Sequence, residues 1–412
     1  MPSLSIRNAH VYTPKAPAKP GQPLRAPHND ELTDLGLCDV VIDEGLISSI
    51  KPLKPTSKPR KPRENIPELD AKGLALLPGL VDCHTHACFA GSRLGEWDDK
   101  RKGVPYLDIL KRGGGIMSTV RAVRDASQQT LTDLLLERLH TMLRCGSTTI
   151  EVKSGYGLST EAELKMLRAI RDAADRFPGT VVPTALLAHA IDETQPGFVG
   201  RTTRETLPAV AAEFPGITVD AFCEKGAWSL EQCALYYERA RALNLPARVH
   251  ADQFNSLGMT PAAVRLGFKS VDHLEASTPE DLALLAQSTT MGVMLPICGL
   301  HLDNRYARGR KFLQAGGALC IASNFNPGSA PSPSLCEAIA TSTRHLGLSP
   351  AEAIVASTHN PACLLGFKDR GRVEEGLRAD LIILSDPDPR ALAFQLGLPP
   401  IKHVITKGEV VK

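Results

Sequence analysis

Histidines at the ends of apolar segments are the residues of this chain best suited to chemistry. His84 and His86 stand two residues apart at the end of one apolar segment, and His250 and His273 each close another. Side chains two residues apart on a strand point to the same face, so His84 and His86 can reach one ion. Imidazole nitrogen is a common ligand of zinc and iron. The pattern therefore predicts a metal site.

The competing interpretation is that these histidines are ordinary polar residues at the rim of the fold. A further histidine, His189, also follows an apolar segment. In a barrel of parallel strands the C-terminal ends of the strands meet at one face, and active sites are built there. Several histidines at separate strand ends therefore favour a shared metal site over isolated rim residues.

The segments that must position these histidines alternate regularly between two kinds. Apolar strand-like segments and amphipathic helical segments follow each other with a period of about 30 to 45 residues. This alternation predicts an α/β fold, a (β/α)₈ TIM barrel over residues 73–365. The eight predicted strands are ALLPGLVDCHTH, STTIEVKS, TVVPTALLAHA, ITVDAFCEK, ARVHADQF, SVDHLEA, MGVMLPI and ALCIASNF.

Both ends of the chain read as short strands. Residues 1–72 contain the hairpin pattern DVVIDEGLISSI, and residues 366–412 contain a second one in IKHVITKGEVVK. Strands that flank a barrel on both sides can most simply share a sheet, so we expect a small composite β-sandwich domain made from the two ends. The stretch from Lys51 to Arg63 has six basic residues, four prolines and no acidic residue, and is expected to be a solvated loop.

Composition narrows the class of protein. The 412 residues carry 47 Lys and Arg against 45 Asp and Glu, and aromatic residues make up only 5%. Such a balanced, aromatic-poor chain is not expected to bind nucleic acid. The ten cysteines form no CxxC pair, and no signal peptide or membrane segment is recognisable. We therefore expect a cytoplasmic protein that has no membrane partner.

Longer motifs carry a family resemblance over most of the chain. The segment PGLVDCHTH, with His250, His273 and the eighth strand, resembles the amidohydrolase superfamily of metal-dependent hydrolases. Narrower motifs are similar to the imidazolonepropionase family, and KSGYGL and FNPGS are the most specific of them. These motifs are FAGSR at 89–93, PYLDILKRGGGIMSTV at 105–120, EVKSGYGLSTEAELKMLR at 151–168, FCEKG at 222–226, VHADQ at 249–253, DHLE at 272–275 and NFNPGS at 324–329.

The resemblance implies a metal-dependent cyclic amidohydrolase of histidine degradation. Its family uses water to open the ring of 4-imidazolone-5-propanoate and gives N-formimidoyl-L-glutamate. The family holds one zinc or iron ion on residues that match His84, His86 and His250, together with an Asp of strand eight. In this chain Asn324 stands at the position of that Asp.

The amide at position 324 changes the expected chemistry. A carboxylate can ligate the metal and accept a proton from water, whereas Asn324 can offer only its carbonyl oxygen as a neutral ligand. A positioned general base contributes about 10² to 10⁴ fold, so we expect slower hydrolysis than with an Asp. His273 is the leading candidate for a replacement base because the ordinary pKa of imidazole lies near neutrality. Glu275 is a weaker candidate.

The same resemblance implies the substrate contacts. Arg93 would bind the propionate carboxylate through its guanidinium fork. Gln253 would contact the imidazolone ring and is included among the catalytic residues. Tyr106 would line the mouth of the site. The implied substrate-binding residues are Arg93, Tyr156, His189, Gln253, Asn326, Gly328 and Ser329.

Two other functions stay open at this stage. One is a sister hydrolase acting on another small carboxylated ring, and the other is a relative that has low activity or none because of Asn324. A homodimer is compatible with the resemblance, and imidazole ligands do not distinguish zinc from iron.

Overall fold

The computed structural model describes residues 3–25, 32–53, 66–104, 108 and 114–412. Two sequence predictions lie outside these residues. One is most of the solvated loop predicted from Lys51 to Arg63, and the other is the contribution of Tyr106 to the mouth of the site. Lys51 and Pro52 are described, and they end a strand.

Strands from both ends of the chain form one sheet. Ile382, near the C-terminus, pairs with Leu77, and the strand of Leu77 in turn pairs with the first strand. This sheet has its own apolar core, which includes Ile6, Ile42 and Ile383. The strands are β1 (Leu4–Pro14), β2 (Leu32–Asp43), β3 (Leu46–Pro52), β4 (Glu68–Asp70), β5 (Ala75–Pro78), β14 (Leu381–Leu384), β15 (Ile401–Thr406) and β16 (Glu409–Val410).

Eight parallel strands form a second sheet that carries the histidines. They neighbour each other in chain order, as the alternating sequence predicts for a (β/α)₈ barrel. Most of their residues are buried, because helices cover the outside and side chains fill the inside. The strands are β6 (Leu80–Asp82), β7 (Ser147–Lys153), β8 (Thr180–Ala188), β9 (Thr218–Cys223), β10 (Arg248–Ala251), β11 (Ser270–His273), β12 (Met291–Met294) and β13 (Leu319–Ile321).

Helices connect and cover these strands. Five of the described helices are preceded by a Ser or Thr whose side chain accepts a backbone N–H of the first turn. The helices are α1 (Leu94–Arg101), α2 (Ile116–Asp125), α3 (Gln128–Arg144), α4 (Thr160–Arg176), α5 (Phe198–Arg201), a π-helical turn (Thr202–Thr206), α6 (Leu207–Glu213), α7 (Leu230–Ala242), α8 (Met259–Leu266), α9 (Pro279–Ala286), α10 (Pro296–Leu302), α11 (Gly309–Gln314), α12 (Leu335–His345), α13 (Pro350–Val355), α14 (His359–Leu364) and α15 (Ala391–Phe394).

Backbone hydrogen bonds join the segments that follow the first and last strands of the barrel. The Asn324 N–H donates to the carbonyl of His84 at 3.0 Å, and the His86 N–H donates to the carbonyl of Phe325 at 2.9 Å. Both bonds lie just beyond the ends of β6 and β13. They therefore hold the segment of Asn324 against the segment of the two histidines.

One predicted strand proves to be two. The segment ALLPGLVDCHTH was expected to be a single barrel strand, but β5 belongs to the terminal sheet and only β6 to the barrel. The chain crosses between the sheets at Gly79, where an added Cβ would lie 2.3 Å from Thr148 Oγ1. Gly79 thus permits a close approach that a side chain would prevent. The domain limits at 72/73 and 365/366 stay a prediction, and β5 lies on the barrel side of the first.

Within the described residues, no helix combines the length and the apolar character that a membrane crossing requires.

Candidate active site

Three histidine side chains converge at the C-terminal end of the barrel. The Nε2 atom of His86 lies 3.3 Å from Nε2 of His84 and 3.2 Å from Nε2 of His250. A tetrahedral zinc ion with Zn–N bonds of about 2.1 Å holds its ligand nitrogens about 3.4 Å apart. The observed spacing therefore fits a shared metal ion.

Carboxylates fix the orientation of two of these imidazoles. The Nδ1–H of His84 donates to Asp272 at 2.6 Å, and the Nδ1–H of His250 donates to Asp220 at 3.1 Å. With Nδ1 protonated, Nε2 of each ring keeps a lone pair directed into the cluster. A carboxylate behind a histidine is the usual support for a metal ligand in proteins.

The environment keeps these histidines neutral. Burial, with the nearby charge of Lys153, holds the pKa of His84 well below its ordinary value. Burial, with the neighbouring His189, has the same effect on the pKa of His86. Neutral imidazole is the form that binds metal, so the local electrostatics favour a ligand role.

A network of buried charges lies beneath the histidines. Lys153 Nζ donates to Glu151 at 2.8 Å and to Asp220 at 2.9 Å, and Arg248 donates to Asp272 at 2.6 Å. We call Glu151, Lys153, Asp220, Arg248 and Asp272 the buried charge network, and their side chains are at most 1% exposed.

The network carries an excess of negative charge. Its three carboxylates face two cations, so it has one net negative charge when all are ionised. Burial alone would raise the pKa of Asp220, but His250 and Lys153 hold that pKa well below its ordinary value. An uncompensated negative charge inside a protein is costly unless a cation lies nearby. The donor set therefore suits a metal cation.

Asn324 lies beside the histidines with an unused oxygen. Its backbone is bonded to His84, and its Oδ1 is buried and has no hydrogen-bond partner among the described residues. Its φ of 55° lies in the left-handed region, which Asn and Asp adopt more readily than most residues. An unpaired amide oxygen at this position is available as a neutral metal ligand.

His273 adjoins the same cluster from β11. Ligand nitrogens of His84, His250 and His273 lie within 4.8 Å of one another. His273 Nδ1 lies 3.3 Å from Glu275 Oε1. His273, Glu275 and Cys298 form a second group whose donor atoms lie within 4.8 Å of one another. The structure therefore brings the predicted base to the predicted metal ligands.

Tyr156 and His189 form an aromatic wall beside His86. The rings of His86 and His189 are stacked with centroids 5.0 Å apart, and the rings of Tyr156 and His189 are 5.2 Å apart. His189 Nδ1–H donates to the carbonyl of Gly155 at 3.0 Å. Burial lowers the pKa of His189 to about 3, so its ring is neutral at physiological pH.

Glu163 shapes the loop that carries Tyr156. Its carboxylate accepts the backbone N–H groups of Gly155, Gly157 and Leu158 at 2.8 to 2.9 Å. The loop also needs glycine at 155, because its φ is 111° and a Cβ would lie 2.8 Å from the carbonyl of Leu186. These contacts hold Tyr156 in the wall.

A cleft of about 470 Å³ opens at the rim of the barrel near Arg93. We call it the rim cleft. Arg93 does not lie free in it: Nε and Nη2 each lie 2.6 Å from a different carboxylate oxygen of Glu96. The residues that line the rim cleft include Phe89, Arg93, Trp97, His301, Pro327 and Gly328.

The FNPGS loop is held together by its own asparagine. Asn326 Oδ1 accepts the N–H groups of Gly328 and Ser329 at 2.8 Å, and Asn326 Nδ2 donates to the carbonyl of Asn324 at 2.6 Å. Gly328 lies against Arg93. The polar atoms of Asn326 are engaged within the loop, so its contact with substrate stays a prediction. Gln253 is buried, and its Nε2 donates to Cys298 Sγ at 3.2 Å.

The sequence pattern was not used to predict the buried charge network or the role of Glu163 in shaping the loop of Tyr156. A signal was present, because Glu151, Lys153, Asp220 and Arg248 are charged residues inside otherwise apolar strand segments. Charged residues are almost never fully buried unless they are paired, so such positions indicate an internal network.

Comparisons with known proteins agree with this architecture. The model of the amidohydrolase family matches residues 75–411. An imidazolonepropionase of Herpetosiphon aurantiacus is 43% identical over 357 residues, 84% of each chain. One of Rubrobacter xylanophilus is 40% identical over 392 residues, 94% of each chain.

The chain belongs to the imidazolonepropionases, within the amidohydrolase family. Two solved structures of other enzymes share its fold. The 5-methylcytosine deaminase of Klebsiella pneumoniae liganded with 5-fluorocytosine has a TM-score of 0.74 at 17% identity and covers 99% of this chain and 97% of its own. The N-isopropylammelide isopropylaminohydrolase of Burkholderia multivorans has a TM-score of 0.69 at 18% identity and covers 100% and 98%. Amidohydrolases are metal-dependent hydrolases, and the histidine-rich cluster is where this chain offers a set of ligands.

Proposed function

We propose that this chain hydrolyses 4-imidazolone-5-propanoate and opens its ring to give N-formimidoyl-L-glutamate in histidine degradation. The observation that carries the proposal is the convergence of three histidine side chains at the face where barrels place their active sites. Nε2 of His86 lies 3.3 Å from Nε2 of His84 and 3.2 Å from Nε2 of His250. The identity of the substrate is taken from relatives named imidazolonepropionase, which are 35% to 43% identical over most of the chain.

One zinc or iron ion belongs to the proposal. His84, His86 and His250 would hold it through Nε2, and Asn324 would add its unpaired Oδ1. When bound, such an ion acts as a Lewis acid and lowers the pKa of a water molecule toward neutrality. Imidazole suits both metals, so elemental analysis of the purified protein decides between them.

In the proposal, the side chains of the protein bind and orient the substrate. Arg93 binds the propionate carboxylate by exchanging one carboxylate partner, Glu96, for another. In the proposal, the ring of the substrate lies against the wall of Tyr156 and His189 and also contacts Gln253. Gly328 and Ser329 contact the substrate at the mouth, Ser329 through its hydroxyl group, because their backbone N–H groups donate to Asn326. The rim cleft, at about 470 Å³, is within the usual size range for small-molecule sites.

Asn324 is expected to lower the rate of hydrolysis. An amide cannot accept the proton that the attacking water must lose, so His273 takes that role in our proposal. Because a positioned base contributes about 10² to 10⁴ fold, we expect the chain to be active and an Asn324→Asp variant to be faster by up to that factor.

The test is an assay of the metal-loaded protein for loss of imidazolonepropionate absorbance, with the Asn324→Asp variant in parallel. Turnover by the unmodified chain supports the proposal. Turnover by the Asp variant alone shows that Asn324 has disabled an otherwise complete site. If neither protein turns over, the proposed substrate is wrong.

We also propose that the protein works in the cytoplasm on a small molecule and forms a homodimer. Exposed apolar side chains near the end of the terminal sheet support the dimer: Phe394 is 81% exposed and Leu398 is 78% exposed. Light scattering of the purified protein measures the assembly, and a monomer would contradict this part of the proposal.

A further inference from the structure

Glu275 is a buried carboxylate whose role the proposed function does not explain. Its side chain is 5% exposed, and its Oε2 is buried without a hydrogen-bond partner in the described part of the chain. Its other oxygen, Oε1, lies 3.3 Å from Nδ1 of His273. Burying a carboxylate so poorly satisfied is unfavourable, which points to a use for it.

The backbone at this point is also unusual. His273 has a φ of 91° and Leu274 a φ of 75°, a region that residues with a side chain rarely adopt. Strained backbone of this kind persists where the surroundings enforce it, and it concentrates at functional sites. Here the conformation directs the side chains of His273 and Glu275 toward each other at the end of β11.

Two other histidines of the site show the same arrangement. Asp272 accepts the Nδ1–H of His84, and Asp220 accepts the Nδ1–H of His250. In both cases the carboxylate leaves Nε2 of the ring unprotonated and aimed into the cluster. Glu275 stands in the same relation to Nδ1 of His273.

We propose that Glu275 is a positioning residue for His273. Its Oε1 accepts the Nδ1–H, which keeps Nε2 of His273 unprotonated and turned toward the cluster. His273 then performs the proton transfer for which Asn324 has no basic atom. The chemical part of this inference rests on the proposed function, whereas the hydrogen bond itself does not.

The proton balance is simple. As the water oxygen bonds to the ring carbonyl carbon, one water proton passes to His273 Nε2. When the C–N bond of the ring breaks, His273 returns that proton to the departing nitrogen. The second water hydrogen stays with the new carboxyl group. Glu275 gains and loses no proton in this sequence.

The first test uses kinetics of the zinc-loaded protein with imidazolonepropionate. Removing a group that orients a catalytic histidine typically costs about 10 to 100 fold, so Glu275→Ala should lower kcat by that factor at unchanged KM and zinc content. Glu275→Gln keeps an acceptor oxygen and should recover at least about fivefold of the loss by the same argument. The matched control is Glu280→Gln, which removes the same charge at an exposed position of α9.

A double variant tests whether Glu275 acts through His273. If it does, adding Glu275→Ala to His273→Ala should change kcat less than about twofold, because residues that act as a unit are not additive. A full further loss in the double variant would overturn the proposal. So would a Glu275→Ala protein with unaltered kcat, or loss of zinc from it, since the latter would make Glu275 a support of the metal site.

The second test needs no substrate. Nitrogen-15 NMR of zinc-loaded, histidine-labelled protein at one fixed pH reports which nitrogen of His273 carries the proton. We expect the proton on Nδ1 in the unmodified chain and in Glu275→Gln, and a mixture of tautomers in Glu275→Ala. A dependence on Glu275 without any turnover would contradict the proposed function and leave the positioning role intact. A tautomer that does not respond to Glu275→Ala would overturn the positioning role.

Discussion

The histidine cluster and the rim cleft are both proposed to bind charged groups, but they are built in opposite ways. Beneath the cluster, Lys153 contacts two carboxylates, and the side chains involved are fully buried. At the rim, Arg93 has one carboxylate partner among the described residues, Glu96, and the two side chains are 12% and 13% exposed. The first arrangement has several fixed partners, whereas the second has a single one close to solvent.

The difference follows from solvent access. In the interior, a charge that loses its partner has no water to replace it, so every imidazole and every charge must be preorganised. Near solvent, a guanidinium can exchange one carboxylate for another at little cost, because water screens the intermediate state. The cluster is therefore suited to hold an ion permanently, and the rim cleft to bind and release a carboxylated molecule at each turnover.

The largest expected effect comes from breaking the cluster. His86→Ala removes the nitrogen that lies within 3.3 Å of both other Nε2 atoms. We expect loss of the bound ion and a fall in kcat/KM of at least about 10³ fold, since the ion supplies several kcal/mol of transition-state stabilisation. Metal analysis and steady-state kinetics measure both effects. Retention of the ion at full stoichiometry would show that His86 is not a ligand.

The buried charge network should respond in stability. Lys153→Met leaves Glu151 and Asp220 without their shared cation, and breaking a buried pair on one side costs about 3 to 5 kcal/mol. Denaturant unfolding measures the change in free energy. Lys402→Met, at an exposed position of β15, is the control and should change the free energy of unfolding by less than about 0.5 kcal/mol. Equal effects of the two substitutions would contradict the comparison.

The rim cleft should respond in substrate binding. Arg93→Gln keeps a polar side chain but removes the charged fork, and a hydrogen bond to a charged group contributes about 1.5 to 3 kcal/mol. We expect KM to rise by about 10 to 100 fold at nearly constant kcat, which corresponds to that energy. A fall in kcat at unchanged KM would instead place Arg93 in the chemical step.

The loop that follows β8 and carries Asp192 should show a pH-dependent effect on stability. The carboxylate of Asp192 accepts from Thr194, Gln195 and Arg124, and these bonds outweigh burial and lower its pKa to about 2. The folded pKa lies below the unfolded value of about 3.9, so this contribution, about 2 kcal/mol, is present above pH 4 and is lost as the pH falls toward 2. Asp192→Asn should weaken the pH dependence of unfolding between pH 2 and pH 6 by this amount, while other carboxylates with lowered pKa values, such as Asp220, keep the rest. An unchanged dependence would show that another group titrates.

Much of the fold was predictable because local pattern and packing agree. The alternation of apolar and amphipathic segments identified the eight strands of the barrel, and strand-like ends predicted the shared terminal sheet. The prediction was wrong about ALLPGLVDCHTH, because an apolar run does not reveal which of two sheets each half joins. The strand partners lie far away in the chain: Thr148, which packs against Gly79 where the chain passes between the sheets, lies 69 residues later.

The sequence by itself determined which residues are available for chemistry: His84, His86 and His250 at strand ends, His273, and an amide where the family has a carboxylate at 324. Only the tertiary structure decided how they are used. In the folded chain, Asp220 and Asp272 accept hydrogen bonds from the imidazoles of His250 and His84. Arg93 pairs with Glu96, and Glu275 lies beside His273. The physical reason is that strand periodicity is local, whereas the partner of a buried charge is chosen by packing between segments far apart in the chain.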